Sequence, residues 1–136
     1  VVGYLARRGK HAAAGVGQVR LAPGCAAAWS PKVLRAGQGA HFVLSIYEDR
    51  DLADFMAAYR GTTLATTLER ATSLYAASWA GPLAWVFGAE GRGVSPALIE
   101  RAGLRIHIPM PGAVESLNVG AAAAVCLFEM VRRRLA

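Results

Sequence analysis

The chain has 136 residues, 54% of them hydrophobic and 18% charged, which excludes intrinsic disorder and fits one domain with its own core. No apolar run reaches the roughly 20 residues that a bilayer span needs, and no basic stretch leads into a Leu-rich core as a secretory signal would. Neither a membrane partner nor export is therefore expected. The net charge of +6 is carried almost wholly by arginine, since Lys10 and Lys32 are the only lysines. Guanidinium forks suit phosphate, so a nucleic-acid partner fits, as does a plain compositional preference for arginine.

Along the chain, Val16–Leu21 reads as a short strand. Ser30-Pro31 pairs a capping serine with proline at the first helical position and predicts a helix stopping near residues 37–39. Residues 42–46 form an apolar, β-rich run. Residues 49–59 carry Leu52, Phe55, Met56 and Tyr59 at helical spacing and end at Gly61. Residues 62–68 are β-branched and strand-like, and Leu83–Phe87 reads as a strand buried on both faces. Ser95-Pro96 repeats the cap signal for a helix ending at Gly103, and residues 104–109 form another strand. Ser116 is the expected cap of a long last helix whose final turn holds Arg132, Arg133 and Arg134, where the helix dipole favours cations.

Strands alternating with helices predict an α/β fold with a mainly parallel sheet flanked by helices, undivided by any linker or repeat. Ligands in such sheets sit at the carboxyl ends of the strands, which directs attention to residues 64–68, 88–93 and 110–116. Cys25 and Cys126 stand far apart with no CxxC pair, which predicts free thiols, a cytoplasmic setting and no metal centre. His41 and His107 lie in apolar segments without ligand spacing and read as core or edge histidines.

Two loops carry the chemistry. The first, Gly88-Ala89-Glu90-Gly91-Arg92-Gly93, sets three glycines and one carboxylate between a strand and a capped helix, where backbone amides can approach a ligand closely. It is neither a Walker loop, because no Gly-Lys-Ser/Thr follows, nor a dinucleotide fingerprint, because the spacing is GxxGxG. The second, Ile108-Pro109-Met110-Pro111-Gly112-Ala113-Val114-Glu115-Ser116-Leu117-Asn118-Val119, makes a stiff bend and ends in a polar trio, Glu115, Ser116 and Asn118. Asn118 opens an otherwise apolar helix that has little structural use for it.

Together these loops resemble the second and third motifs of the SPOUT RNA methyltransferases, in the SpoU/TrmH-like branch, where G-x-E-G-x-G is followed by I-P-M-x-G and then S-L-N-V. Residues 30–35, Ser-Pro-Lys-Val-Leu-Arg, are similar to the family's S-P-K-V-x-R segment, and the likeness extends over roughly residues 15–134. The resemblance implies a SPOUT fold with a deep trefoil knot near the C-terminus, a catalytic domain working as a homodimer with its active site at the subunit interface, and methylation of a ribose 2′-hydroxyl in tRNA or rRNA. It implies S-adenosylmethionine as cofactor, without a metal. Thr66, Thr67, Leu68, Gly88, Gly91, Ile108, Met110, Ser116 and Leu117 are then the expected cofactor contacts. Arg7, Glu90, Ser116 and Asn118 are the expected catalytic group. Lys32 and Arg35, three apart on one helix face, read as RNA phosphate contacts or active-site supports, and equally as solvated charges.

The family's first motif, N-x-G-x-x-x-R on the loop and helix after the first strand, corresponds to Val1-Val2-Gly3-Tyr4-Leu5-Ala6-Arg7. Gly3 and Arg7 fit, whereas Val1 replaces the asparagine, and the strand expected ahead of the motif, like an N-terminal RNA-binding domain, is missing from the 136 residues. This departure admits a second reading, a catalytically impaired module that binds cofactor and RNA. A base-methylating enzyme is a third, disfavoured because S-L-N belongs to the ribose-modifying branch.

Overall fold

The computed structural model describes residues 2–6, 14–25, 27–37, 40–89, 91–114 and 116–136. The strands are β1 (Val2–Ala6), β2 (Val16–Leu21), β3 (Ser45–Tyr47), β4 (Thr62–Thr66), β5 (Thr72–Ser73), β6 (Leu83–Phe87) and β7 (Leu104–His107). The helices are α1 (Pro31–Gly37), α2 (Leu52–Ala58), α3 (Pro96–Arg101) and α4 (Val119–Leu135). Among the described residues the seven strands form one sheet in the order β3-β2-β1-β6-β4-β7-β5. The pairs β2–β3, β6–β4, β4–β7 and β7–β5 are parallel, while β1 runs antiparallel to both β2 and β6. The α/β architecture with a mainly parallel sheet is therefore as the sequence predicts.

Burial follows from the two-residue period of a strand. On β6, Leu83, Trp85 and Phe87 join the cluster that includes Leu64, Ile106, Cys126 and Met130, whereas Val86 joins Leu52, Met56, Val94 and Leu98. One strand thus feeds two cores, with α4 on one side and α2 with α3 on the other, which is why its five residues are apolar without alternation. Trp85 stacks on Phe87 at 5.9 Å and meets the edge of Trp79 at 5.7 Å between ring centroids. α2 starts where Asp51 accepts a hydrogen bond from Asp54 N at 3.1 Å, and its buried Leu52 and Met56 lie one turn apart. α4 buries Ala123, Cys126, Leu127 and Met130, a stripe at helical spacing that faces the sheet.

The far end of α4 is tied down by its own charges. Glu129 is 7% exposed and receives Arg132 Nε at 2.7 Å and Arg133 Nε at 2.8 Å. These hydrogen bonds, from Arg132 first and then Arg133, hold the carboxyl far below its usual range, at about 2, against the opposing effect of burial. Arg133 also donates to Ala77 O and Leu74 O and lies 3.9 Å over the Trp79 ring, so the chain between β5 and β6 is fastened to the helix.

Several boundaries differ from the sequence-based expectation. Residues 42–46 do not form one strand: a 3₁₀ turn occupies Ala40–Phe42 and β3 begins at Ser45, with Phe42 92% exposed. β4 and β7 stop at Thr66 and His107 rather than at 68 and 109, because the chain leaves the sheet there to form loops. α4 begins at Val119 with Asn118, not Ser116, as its cap. The stretch matched to the first motif is not a loop and helix. Its Val2–Ala6 forms β1, filling the position between β2 and β6 where the sheet would otherwise break. β5, two residues long, carries too little pattern to be anticipated. It sits on the far side of β7 from β4, and the connection 67–71 carries the chain past β7 at the level of Ile106. There Thr67 N donates to Ile106 O at 3.0 Å and Leu74 N to His107 O at 2.8 Å.

Candidate functional site

β6, β4 and β7 are adjacent and parallel, so the loops after them leave the sheet on the same edge. A cleft of about 800 Å³ opens there, within the size range of a small-molecule site. Its walls are built from the end of β4 with the residues that follow it, the glycine loop after β6, and the bend between β7 and α4. All nine residues expected to contact a cofactor line this one cleft: Thr66, Thr67, Leu68, Gly88, Gly91, Ile108, Met110, Ser116 and Leu117. Asn118 lines it too.

The glycine loop closes tightly on itself. Arg92 N and Gly93 N both donate to Ala89 O, at 3.2 and 2.9 Å. A Cβ built on Gly88 would lie 1.9 Å from the Gly93 carbonyl carbon and 2.3 Å from Val94 N, so no side chain fits without moving backbone. Gly91, at φ +77°, holds the left-handed conformation that side chains disfavour. Both constraints bring peptide groups to the cleft wall, where a larger side chain would screen them. Thr66 Oγ1 donates to Val86 O at 3.4 Å, linking the end of β4 to β6 just below the loop.

The opposite wall is the bend 108–118. Its prolines at 109 and 111 carry no N–H, and among the described residues from 109 to 117 no backbone hydrogen bond is made to another described residue. Peptide groups at Met110, Ser116 and Leu117 are thus available to a ligand, while Leu68, Ile108 and Leu117 supply apolar surface for a flat ring. Asn118 has a structural task that the sequence reading misses. Its Oδ1 accepts from Gly120 N at 2.8 Å and Ala121 N at 3.3 Å, closing the first turn of α4. Ser116 is exposed in the bend two residues earlier and is free of that duty.

The cleft also contains residues that the sequence reading does not assign. His107, read as an ordinary core or edge histidine, is half-buried in its wall, with Glu69 after β4 and Arg92 in the glycine loop. The signal for His107 is its place as the last residue of β7, immediately before Ile108. His41 does behave structurally: its Nε2 lies 2.6 Å from Ala28 O and its ring packs on Trp29.

Lys32 and Arg35 are exposed on α1 and do not line the cleft. Arg7 and Glu90 lie outside the described residues. Neither Cys25 nor Cys126 is in a disulfide among the described residues, and burial pushes the Cys126 thiol up to about 12, so it stays protonated. Among the described residues no three His, Cys, Asp or Glu side chains gather as a metal site would require, and no helix is long and apolar enough to cross a membrane.

A family profile described as SpoU rRNA Methylase matches residues 2–128. The chain is 39% identical over 127 residues to the 23S rRNA (guanosine-2′-O-)-methyltransferase RlmB of Vibrio parahaemolyticus, covering 91% of this chain and 51% of that relative. The AdoMet-bound rRNA methyltransferase structure from Sinorhizobium meliloti superposes with a TM-score of 0.83 at 27% identity, over 89% of this chain and 48% of that one. The AdoMet complex of the SpoU methyltransferase AviRb from Streptomyces viridochromogenes gives 0.80 at 26% identity, over 90% and 52%. The chain thus spans about half the length of these proteins.

Proposed function

This chain belongs to the SpoU rRNA methylase family, and from that premise we propose that it transfers a methyl group from S-adenosylmethionine to a ribose 2′-hydroxyl of RNA. The observation that carries this reading is the single cleft at the carboxyl ends of β4, β6 and β7, lined by all nine residues that the family resemblance assigns to the cofactor. The residues fit such a group: apolar side chains for an adenine, peptide groups left uncommitted by the bend, and a glycine turn that admits close approach. The relatives' names make rRNA the first substrate to test.

When bound, S-adenosylmethionine supplies a methyl group on a positively charged sulfur. Transfer forms a bond from the ribose oxygen to that methyl carbon and breaks the carbon–sulfur bond, and the hydroxyl proton must leave. A neutral alcohol is a weak nucleophile, so the chain must hold it in line and either accept its proton or hydrogen-bond the oxygen strongly while the proton passes to solvent. In this proposal Asn118 and Ser116 orient the ribose at the cleft, and Glu90 positions Arg7 as the group that activates the hydroxyl. Lys32 and Arg35 contact RNA phosphates from α1.

The same reading includes a single SPOUT catalytic domain acting as a homodimer in the cytoplasm, its chain knotted near the C-terminus. The knot is supported by β7, which enters between β4 and β5 although it follows both in sequence. The dimer is supported by exposed Leu68, Val114 and Leu117 around the cleft mouth, at 66%, 67% and 41%. Two cysteines that form no disulfide among the described residues fit a reducing compartment. A second reading, a cofactor- and RNA-binding module without turnover, is favoured by Val1 in place of the motif's asparagine and by β1 in place of its loop and helix.

Calorimetry with S-adenosylmethionine, followed by transfer of labelled methyl to rRNA and mapping of the modified ribose, tests the proposal. Cofactor binding with a labelled 2′-oxygen is the expected result, and binding without transfer selects the silent module. Asn118→Asp separates the two duties of that residue. It keeps an acceptor for Gly120 N and Ala121 N, so stability holds while transfer falls about 10²-fold for loss of an oriented donor. Full turnover in that variant removes Asn118 from the catalytic group.

A further inference from the structure

At the sheet edge opposite the cleft, where β4 and β6 begin, a cavity of about 1130 Å³ wraps from the α2 side to the α4 side. Its wall carries Arg20, Arg60, Arg133 and Arg134, and no described residue lining it is acidic. A neighbouring hollow shares Tyr59, Gly61, Trp79 and Ala80 with it and adds Arg101, again without a carboxylate. The two make one groove along the amino ends of the strands.

The arginines differ in what already satisfies them. Arg133 is neutralised by Glu129 and spent on two carbonyls. The Arg20 guanidinium lies between the rings of Tyr47 and Phe55, at 4.8 and 4.7 Å, and its buried Nε meets no acceptor among the described residues. Arg60 and Arg134 are exposed and make no ion pair among the described residues. Positive charge that the chain leaves uncompensated, in a concave wall that focuses its field, attracts a polyanion. Phe55, Tyr59 and Trp79 add aromatic surface to the same wall, and cations interleaved with aromatic rings form the chemistry that tracks a single-stranded nucleic acid.

Resting on the reading of RNA as substrate, we propose that this groove holds a stretch of that RNA away from the methylated nucleotide, with Arg60 and Arg134 on its phosphates. β4 separates the groove from the cleft by its five residues, about 16 Å at strand rise. The domain therefore grips its substrate at both edges of the sheet.

The test is fluorescence anisotropy of a labelled single-stranded oligoribonucleotide over a salt series, with the parental chain, Arg60→Ala/Arg134→Ala, and Arg50→Ala/Arg105→Ala, which loses the same charge elsewhere. The groove variant is expected to bind roughly tenfold more weakly at 0.1 M salt, with a log–log salt slope shallower by about 1.4, the contribution of two phosphates. Its S-adenosylmethionine affinity stays at the parental value, and the control pair keeps the parental slope. Parental affinity and slope in the groove variant overturn the proposal, as does an equal loss in the control pair. If the parental chain binds no RNA, the groove and the RNA-substrate reading fall together, whereas methyl transfer with an unaffected groove variant removes the groove alone.

Discussion

Where β6 and β7 end, the chain runs through glycine and proline loops whose described backbone groups bond little beyond the loops themselves. Where α4 ends, Arg133 spends its guanidinium on Glu129, Leu74 O and Ala77 O and covers the Trp79 ring. The same helix joins the two regions: its first turn, capped by Asn118, stands in the cleft wall, and its last turns fasten the segment between β5 and β6. The difference teaches how a small domain keeps one edge open for a ligand. Uncommitted backbone at the binding edge costs stability, and a dense polar clamp with aromatic packing offsets it at a distance.

If that division holds, damage to each edge should be read by a different instrument. The largest effect is expected from Gly88→Ala, where the new methyl would overlap the Gly93 backbone. Calorimetry should find S-adenosylmethionine binding lost, accompanied by destabilisation of about 1–3 kcal/mol from overpacking. Retained affinity would mean that the glycine turn is not part of the site. Arg133→Ala should do the reverse. Denaturant unfolding is expected to show a loss of about 2–3 kcal/mol, because two carbonyls lose their donor and Glu129 keeps only Arg132, while cofactor affinity survives. A variant that loses affinity as steeply as stability would erase the distinction between the edges.

The smallest effect sharpens the comparison by pH. Glu129 has its carboxyl at about 2 in the folded chain, against about 4.3 for an unfolded glutamate. The unfolded state therefore takes up the proton first on acidification. The clamp's contribution is complete above about pH 4.3, declines below it and is gone once pH falls through about 2. Unfolding curves taken down this range should flatten in Glu129→Gln. An unchanged pH slope in that variant would assign the acid sensitivity to other carboxylates.

The cleft is legible in the sequence because its walls are short continuous segments, and each announces itself by composition: glycines at 88, 91 and 93, prolines at 109 and 111. Leu83–Phe87 and Val16–Leu21 are legible for the same reason, since an apolar run between turn residues has few other uses. The capping duty of Asn118 is missed because capping and catalysis ask for the same side-chain type at the same place, and only the geometry of Gly120 N and Ala121 N reveals it. The clamp is illegible for a different reason. Arg133 meets Ala77 and Leu74 from 56 and 59 residues away, and a local pattern holds no trace of so distant a partner. The same distance hides the arginine groove, which gathers residues from β2, the ends of α2 and α4, and the approach to β6.

β7 occupies a slot that its neighbours must keep for it. β4 and β5 leave the ribosome first, yet among the described residues β5 bonds to no strand but β7. Until residues 104–107 are made, the slot has two open edges and the apolar Leu64 and Ala65 lack part of their cover. Synthesis therefore passes through an interval in which the half-built sheet is sticky and cannot complete itself. Pairing of β5 therefore waits on residues 104–107, and a translational pause before them would prolong the exposure to chaperones and to misassembly.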